Sequence, residues 1–381
     1  MGAATLLVPE AVALPEGVRE GLAVLMDGPL IAAVDRTDRL AGRADAIERL
    51  EGLTLGPGLV DLQVNGGGGV LLNDQPTLEG VEAIAAAHRR CGTTSLLPTL
   101  ITAPLATMEA ALEAVRQALD AAVPGVVGLH LEGPFLDAER RGAHEAHLIR
   151  SPTADDLALL QAPFPGRLLM TLAASAATEQ VTVPLRLAGV LLSLGHTEAR
   201  AEEARRAFDR GVSLVTHLYN AMSPLAHRAP GTVGAALADD RVTACVIADG
   251  HHVHPIALRA AWEAKGPARF ACVSDAIGVA GTDLTEATLA GQRVIVEGGR
   301  CLNEEGNLAG SAIVLADSLP VLVRSVGLSL AEALVACATT PAAALGLHDR
   351  GRVAAHLRAD LVALDADLAV QRTWVGGAAI G

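Results

Sequence analysis

Short, almost continuously apolar runs recur through the middle of the chain, and a longer, more polar segment separates each run from the next. The eight runs are Gly58–Asn65, Thr93–Leu100, Val126–Glu132, Arg167–Ala173, Val190–His196, Val212–His217, Thr243–Asp249 and Phe270–Asp275. Strands of a parallel sheet that is covered on both faces have this pattern, because apolar side chains are needed on both sides. We therefore expect eight parallel strands in this part of the chain.

Helical patterns lie between several of these runs. Leu78–Cys91 is rich in alanine and ends before Gly92, and Glu198–Arg210 ends before Gly211 in the same way. A glycine directly after the last helical residue is a common C-terminal cap. Eight strands that alternate with helices favour an α/β fold of the (β/α)8 TIM-type barrel over an open doubly wound sheet.

Two β-rich segments flank the predicted barrel. Residues 1–55 and 350–381 contain short strand patterns and turns but no strong helical pattern. We expect them to meet in one small β-sandwich domain, while residues 56–349 form the catalytic barrel domain. Residues 291–310 are predicted to form a β-hairpin that is inserted before a later helix.

Four ionisable residues close the predicted strands at the same end. Glu132 ends the third run, His196 the fifth, His217 the sixth and Asp275 the eighth. Barrel enzymes carry their chemistry at the carboxyl ends of the strands, so these side chains are expected to meet in one mouth. A single histidine at a strand end is more often a hydrogen-bonded structural residue, but four ionisable groups together favour an active site.

Two imidazoles and one carboxylate are a common catalytic zinc set, which leaves one coordination position open for water. Glu132, His196 and His217 are therefore predicted to hold a metal ion. Asp275 is expected across the barrel seam from the first strand, where it can take a proton from water and pass it to a leaving nitrogen. The residues thus predict a metal-dependent hydrolase.

Loops at the same end carry groups that suit an anion. Backbone amides near Asn220 and Ala221, with Arg228 and a histidine of the 251–254 cluster, are able to bind phosphate. The histidine cluster is equally explained as a surface run or an adventitious metal site, and Arg228 alone is more simply a solvated charge. The glycine run at residues 66–69 lacks the lysine of a phosphate-binding loop, so we expect a flexible turn.

Composition narrows the class of protein further. Hydrophobic residues make up 51% of the 381 residues, which is enough for one large domain with a small satellite. The formal net charge of -14 repels nucleic-acid phosphates. The sequence shows no secretory signal and no membrane-length apolar run, so we expect a cytoplasmic protein without nucleic-acid or membrane partners. Its five cysteines form no CxxC pair, and we expect them to fill the core.

Several motifs together resemble the amidohydrolase superfamily, and within it the deacetylases that act on amino-sugar phosphates. The similarity covers nearly the whole chain. HLEGPFL at residues 130–136, THLYNAM at 216–222 and ADGHHV at 248–253 form a highly specific combination. The other matching motifs are PGLVDLQVNGGGG (57–69), RGAH (141–144), GHT (195–197), HRAPG (227–231), SDA (274–276) and GNLAGS (306–311).

The resemblance implies roles for individual residues. Glu132, His196 and His217 would bind the metal, Asp275 would be the acid/base, and His144 would polarise or position the acetyl carbonyl. The residues implied to contact the sugar phosphate are Ala143 through its backbone, Asn220, Ala221, Arg228, His252, Leu308, Ala309 and Gly310. Relatives are usually homodimers, in which the segment around His227 and Arg228 reaches the neighbouring subunit's site.

The reaction implied is hydrolysis of the N-acetyl amide of N-acetyl-D-glucosamine 6-phosphate, which gives D-glucosamine 6-phosphate and acetate. The alternative substrates are N-acetylgalactosamine 6-phosphate, which differs at one hydroxyl group, and another N-acyl sugar. A barrel that binds a sugar phosphate without catalysis is less well supported, because the predicted ligands and the acid/base are all present.

Two departures from the superfamily pattern bear on the site. Many relatives carry two histidines on the first strand and bind two metals, whereas this chain has Gln63 and Asn65. An amide is a weak ligand for a divalent transition metal, so we expect one ion, with Gln63 positioning water; zinc is favoured, and iron, cobalt or manganese are alternatives. Relatives often have an acidic residue near Ser175, and we expect altered packing or loop contacts there rather than loss of activity.

Overall fold

The computed structural model describes residues 4–381 and contains the predicted barrel. Eight strands pair in parallel in the order of the chain, and we number them one to eight. Their bounds are Leu59–Val64, Thr93–Ile101, Gly128–Glu132, Arg167–Leu172, Leu191–Leu194, Leu214–Val215, Thr243–Ile247 and Phe270–Val273. Each strand begins and ends within two residues of its apolar run, so the predicted strands are confirmed.

The barrel closes between strand eight and strand one, just beyond the regular ladder. The Asp275 N–H donates to the Gln63 carbonyl oxygen at 3.0 Å. One residue earlier, the Ser274 N–H donates to the buried Asp61 carboxylate at 3.2 Å. Asp275 therefore lies beside the first strand, as its position at the seam predicts.

Helices cover the outside of the barrel. The longer ones are Leu78–Arg90, Leu105–Asp120, Ala154–Gln161, Glu179–Leu187, Ala201–Asp209, Gly231–Ala238 and Pro255–Lys265. Short helical turns are Thr37–Leu40, Ala41–Arg43, Ala138–Arg140, Ala146–Leu148, Leu315–Asp317, Ser318–Pro320, Val321–Val326, Leu330–Leu334, Val335–Thr339 and Thr340–Ala344. Both helices that the sequence predicts are present, as Leu78–Arg90 and Ala201–Asp209. The Thr77 side chain begins the first of them by accepting from the Gly80 N–H at 3.2 Å, a standard N-terminal cap.

The two chain ends meet in one eight-stranded sheet. Its strands are Thr5–Leu14, Gly17–Glu20, Leu22–Asp27, Leu30–Arg36, Ala46–Pro57, Leu361–Leu364, Val370–Val375 and Ala378–Ile380. Ala46–Pro57 joins the ends, because it pairs in parallel with Thr5–Leu14 and antiparallel with Leu361–Leu364. An apolar cluster that includes Leu55 and Trp374 fills one face of the sheet. The small β domain is thus present; its boundaries stay a prediction, and residues 1–3 lie outside the described residues.

A second small sheet follows strand eight, where the sequence predicts a hairpin. It has four antiparallel strands, Glu286–Leu289, Gln292–Glu297, Arg300–Asn303 and Leu308–Ser311. The predicted hairpin is the centre of this sheet, and the outer strands extend it. The last strand returns to the barrel, because the Ser311 N–H donates to the Asp275 carbonyl oxygen at 2.9 Å. This sheet therefore borders the mouth of the barrel.

The glycine run after strand one is packed and is not an open turn. Gly66–Gly67 pairs with Val70–Leu71 in a two-stranded ladder. A Cβ added to Gly66 would lie 2.3 Å from the Val70 carbonyl oxygen, so only glycine fits there. His88 donates from Nε2 to the Gly66 carbonyl oxygen at 2.9 Å and fixes the turn to the following helix.

The described cysteines are all free, as expected for core fillers. Cys245, Cys272, Cys301 and Cys337 are buried, and Cys91 is half-buried. Within residues 4–381, no helix has the length and apolar character that crossing a membrane requires.

Candidate active site

Glu132, His196, His217 and Asp275 lie together at the carboxyl ends of strands three, five, six and eight. Glu132 is the last residue of its strand, and the other three lie two residues beyond theirs. His196, His217 and Asp275 have positive φ angles of 47°, 30° and 53°. Positive φ strains a residue that has a Cβ, and such strain clusters at functional sites. Strands five, six and eight therefore each end in a sharp turn at the residue that the sequence singles out.

Three of these side chains form a group that can hold a metal ion. Glu132, His196 and His217 are buried, and one ligand atom from each lies within 4.8 Å of the others. The His217 Nε2 atom lies 3.0 Å from Glu132 Oε1 and 3.0 Å from His196 Nε2. Among residues 4–381, no other group of three or more histidine, cysteine or acidic side chains has ligand spacing.

The surroundings of the group fit a bound cation. The His196 Nδ1–H donates to the Arg140 carbonyl oxygen at 2.8 Å, so the Nε2 lone pair faces His217 and Glu132. Burial opposes protonation of His217, but the hydrogen bond to Glu132 and the negative charges of Glu132 and Asp275 together outweigh burial and raise the pKa of His217. Two imidazoles and a carboxylate at this spacing are a donor set that can hold a divalent metal ion.

The side-chain amides of Gln63 and Asn65, at the end of the first strand, donate hydrogen bonds to acidic side chains of the site. The Gln63 Nε2–H donates to Glu132 Oε1 and to Asp275 Oδ1, both at 3.0 Å. The Asn65 Nδ2–H donates to the same Asp275 oxygen at 2.7 Å. Both side chains thus present N–H donors to the carboxylates of Glu132 and Asp275.

The surroundings of Asp275 change how readily its carboxylate binds a proton. Burial raises the pKa of Asp275 above its ordinary value, and the charge of Glu132 raises it further. Both amide donors bind Oδ1, which leaves Oδ2 to accept a proton at the cavity that Asp275 lines. A carboxylate with a raised pKa is suited to take up a proton and to release it again.

His144 is a neutral hydrogen-bond donor. The Thr102 N–H lies 3.3 Å from His144 Nδ1 and can only donate, and the Thr102 hydroxyl, at 2.7 Å, can donate as well, so that nitrogen carries the lone pair. Burial lowers the pKa of His144 to about 3, and the neighbouring His196 adds to this effect. The proton of the neutral ring is therefore on Nε2, which lies 3.8 Å from Glu132 Oε2.

A cavity of about 300 Å³ opens above the candidate metal ligands. The predicted site residues that line it are Glu132, Ala143, His144, His196, His217, Asn220, Ala221, His252, Asp275, Leu308, Ala309 and Gly310. Gln63 lies behind this lining, in contact with Glu132 and Asp275. Sequence reasoning missed Glu139, Arg140 and Gly142, which also line the cavity. Their place directly after the HLEGPFL motif is the signal that could have found them.

The predicted anion-binding residues fall into two groups. Asn220, Ala221 and His252 line the cavity, and the His252 Nδ1–H donates to Asp249 Oδ2 at 2.6 Å. Arg228 does not line it; it lies with His227 in an exposed stretch, residues 224–229. The structure therefore does not bring Arg228 to the cavity of its own chain.

Fold and site together define a hydrolytic barrel enzyme with a candidate metal centre, and sequence comparison gives its family. The model of the amidohydrolase family matches residues 54–380. The chain belongs to the amidohydrolase family.

Individual relatives narrow the comparison. The chain is 40% identical to an N-acetylgalactosamine-6-phosphate deacetylase of Shewanella sp. (strain ANA-3), over 86% of this chain and 84% of the relative. It is 36% identical to an N-acetylglucosamine-6-phosphate deacetylase of Haemophilus influenzae, over 87% of each. A Mycobacterium smegmatis N-acetyl-D-glucosamine-6-phosphate deacetylase variant, solved with N-acetyl-D-glucosamine-6-phosphate, superposes with a TM-score of 0.92 at 30% identity and full coverage of both chains.

Proposed function

We propose that this enzyme hydrolyses the N-acetyl amide of N-acetyl-D-glucosamine 6-phosphate to D-glucosamine 6-phosphate and acetate. The observation that carries the proposal is the cavity itself, in which Glu132, His196, His217 and Asp275 converge beside the neutral donor His144. The named activities of the relatives support the choice of an acetylated amino-sugar phosphate.

Glu132, His196 and His217 would hold one divalent ion. Zinc suits this donor set, and iron, cobalt and manganese are alternatives, because metal availability in the cell often decides among them. A bound ion of this kind supplies a Lewis acid and lowers the pKa of water. The amide donors of Gln63 and Asn65 support one ion over two.

Asp275 moves the protons of the reaction. Its Oδ2 accepts a proton from the attacking water while Gln63 and Asn65 hold Oδ1 in place. The same carboxyl group then gives this proton to the amide nitrogen, so that the C–N bond breaks and a neutral amine leaves. The raised pKa of Asp275 supports the first transfer, because a carboxylate with a higher pKa is a stronger base toward the attacking water.

His144 stabilises the charge that develops on the acyl oxygen. Its Nε2–H is available to donate, because Nδ1 is occupied by the Thr102 N–H. A donor that is fixed before the reaction needs no reorganisation when the oxygen becomes negative. His144 therefore acts as a hydrogen-bond donor and not as a proton carrier.

The phosphate end of the substrate would bind at Asn220, Ala221 and His252. Leu308, Ala309 and Gly310, with the Ala143 backbone, would border the sugar ring. Arg228 would complete the phosphate site of the partner subunit in a homodimer, which agrees with its exposed position outside its own cavity. An anionic substrate needs such a charge, because the chain carries a formal net charge of -14.

The Asp275→Asn variant tests the mechanism. The amide keeps the size of the side chain but cannot accept and release a proton, so we expect kcat to fall by about 10²–10⁴-fold. Metal content and substrate binding should remain, as measured by elemental analysis and by calorimetric titration of the inactive variant. Turnover close to that of the wild type would show that Asp275 is not the acid/base.

A second candidate substrate is N-acetyl-D-galactosamine 6-phosphate, because the relative with 40% identity is named for it. The two sugars differ in the orientation of one hydroxyl group. Comparison of kcat/KM for the two purified sugar phosphates decides between them. A clearly higher value for the glucosamine substrate supports the first candidate, whereas equal values or a preference for the galactosamine substrate overturn it.

A further inference from the structure

Asp137 lies at the start of the loop that follows strand three, and its half-buried carboxylate accepts three hydrogen bonds. Oδ1 accepts from Ser175 Oγ at 2.6 Å. Oδ2 accepts from Thr197 Oγ1 at 2.8 Å and from the Glu198 N–H at 3.0 Å. These donors belong to the loops after strands four and five. One carboxylate therefore joins three neighbouring loops at the mouth of the barrel.

The same loop reaches His196 by two further contacts. The Asp137 N–H donates to the His196 carbonyl oxygen at 3.0 Å, and the Arg140 carbonyl oxygen accepts from His196 Nδ1 at 2.8 Å. The Arg140 guanidinium also pairs with the Glu198 carboxylate. Residues 137–140 are thus fixed to residues 196–198 through backbone and side chains alike.

We propose that Asp137 is a positioning residue for the metal site. Its carboxylate holds residues 137–140 against Thr197 and Glu198, and this keeps the Arg140 carbonyl oxygen on His196 Nδ1. The outer hydrogen bond of a metal-binding imidazole sets the direction and the basicity of the ring. The proposal rests on the metal site of the proposed function, but it does not depend on the identity of the sugar.

Ser175 is the matching donor for this carboxylate. An acid at 175 would face the carboxylate of Asp137, and two like charges at this spacing repel each other. An amide at 137 would remove the conflict, because its N–H can donate to a carboxylate. Positions 137 and 175 should therefore be coupled.

Binding of Co²⁺ in the absence of substrate tests the role of Asp137. For Asp137→Ala, we expect Co²⁺ to be lost to a chelator about 10-fold faster than from the wild type, with a changed visible absorption spectrum. For Asp137→Asn, we expect values near the wild type. The amide oxygen can still accept from Thr197 and Glu198, and its N–H can donate to Ser175.

Asp365→Ala is the matched control. Asp365 also accepts three hydrogen bonds, from the Asp367 and Ala369 N–H groups and the Gln371 side chain, but it lies in a turn between two strands of the terminal sheet. We expect this variant to lose stability without any change in the rate of Co²⁺ loss or in the absorption spectrum. The comparison separates a local effect on the metal site from general destabilisation.

A double-mutant cycle tests the coupling between the two positions. Ser175→Glu in the wild type should speed the loss of Co²⁺, and the same change in Asp137→Asn should be tolerated. Equal effects of Ser175→Glu in both backgrounds would overturn the coupling. If Asp137→Ala kept the Co²⁺ kinetics and spectrum of the wild type, the positioning role would be wrong. A wild type that binds no Co²⁺ would overturn the metal site as well, whereas a wrong sugar would leave this test unaffected.

Discussion

His196 and His144 carry their protons on different ring nitrogens, and the neighbouring backbone groups determine which nitrogen is protonated. The His196 Nδ1 atom faces the Arg140 carbonyl oxygen and carries the proton, whereas His144 Nδ1 faces the Thr102 N–H and does not. His196 therefore offers a lone pair to the site from Nε2, and His144 offers an N–H from the same ring position. The same residue type thus supplies a candidate metal ligand and a hydrogen-bond donor side by side.

The first residue-scale prediction concerns His144. Removal of one preorganised donor to a developing oxyanion lowers kcat by about 10²–10³-fold, so we expect that loss for His144→Ala. His144→Gln should recover part of it, because the amide N–H can donate. Metal content, measured by elemental analysis, should stay unchanged in both variants.

The pH profile separates a donor from a proton carrier at this position. Burial lowers the pKa of His144 to about 3, so the ring stays neutral throughout the range from pH 5 to 9. The ratio of kcat between the wild type and His144→Gln should therefore be constant over this range. A ratio that changes with an inflection near neutral pH would show that His144 titrates during turnover.

The second residue-scale prediction concerns Asp61, which is buried below the seam. Burial raises the pKa of Asp61 to about 7, although its Oδ1 accepts from the backbone N–H groups of Gln63 and Ser274. Because the pKa of Asp61 is higher in the folded than in the unfolded protein, the protonated carboxyl group contributes its full stabilisation below about pH 4. This contribution to the free energy of unfolding is lost as the pH rises through about 7.

Asp61→Asn should remove this dependence. The amide oxygen can accept the same two N–H groups, and the amide has no charge to bury. At about 1.4 kcal/mol for each pH unit, the variant should gain a few kcal/mol of stability relative to the wild type between pH 4 and pH 8. Urea unfolding at both pH values measures this. A difference between the two proteins that is independent of pH would mean that Asp61 is already ionised in the fold near pH 4.

At the scale of elements, the barrel strands could be predicted because burial on both faces requires an almost continuous run of apolar residues. Strands such as Thr93–Ile101 have no exposed face, so the apolar run and the strand nearly coincide. The outer strands of the inserted sheet gave no such signal. Glu286–Leu289 is only four residues long and has a single fully buried residue, and among the described strands it pairs only with the hairpin beside it.

In the candidate site, too, one part could be predicted from the sequence and another part could not. Strand ends meet at one edge of a parallel barrel, so Glu132, His196, His217 and Asp275 could be brought together from the sequence alone. The contributions of the loops could not, because a carbonyl oxygen such as that of Arg140 is present in every residue. Which carbonyl meets His196 depends on how the loop folds over strand five.

The prediction at this scale concerns the last strand of the inserted sheet. Gly310 has a φ of +64°, and an added Cβ would lie 2.3 Å from Ile277 Cγ2 and 3.3 Å from the Asp275 carbonyl oxygen. Gly310→Ala should therefore strain the backbone and push against the segment that carries Asp275. We expect a loss of about 2–4 kcal/mol of stability and a clear fall in kcat/KM.

Gly306→Ala is the matched control for this variant. Gly306 has a similar φ of +78°, but an added Cβ meets nothing within 4 Å. Gly306→Ala should lower the free energy of unfolding by about 1–2 kcal/mol through the backbone conformation alone, and it should leave kcat/KM near the wild-type value. Urea unfolding and steady-state kinetics of both variants make the comparison. Equal kinetic effects would mean that the contact with the Asp275 segment has no influence on the reaction.

At the scale of the whole molecule, the negative net charge opposes the binding of an anionic substrate. The formal net charge is -14, and Arg140 is the one arginine or lysine among the residues that line the cavity in the described chain. Its guanidinium is already paired with Glu198. A cation from outside the chain would compensate for this shortage, and the exposed Arg228 of a second copy is the candidate.

Complementation between two inactive variants tests this arrangement. Arg228→Ala and Asp275→Asn should each be poorly active alone, the first through a raised KM and the second through a lowered kcat. In a heterodimer purified through two different tags, the Arg228→Ala chain keeps Asp275 and receives Arg228 from its partner. One of the two sites is then complete, so we expect about half of the wild-type kcat per dimer. A heterodimer no more active than its parents would show that Arg228 serves its own chain, and failure to isolate any heterodimer would overturn the dimer itself.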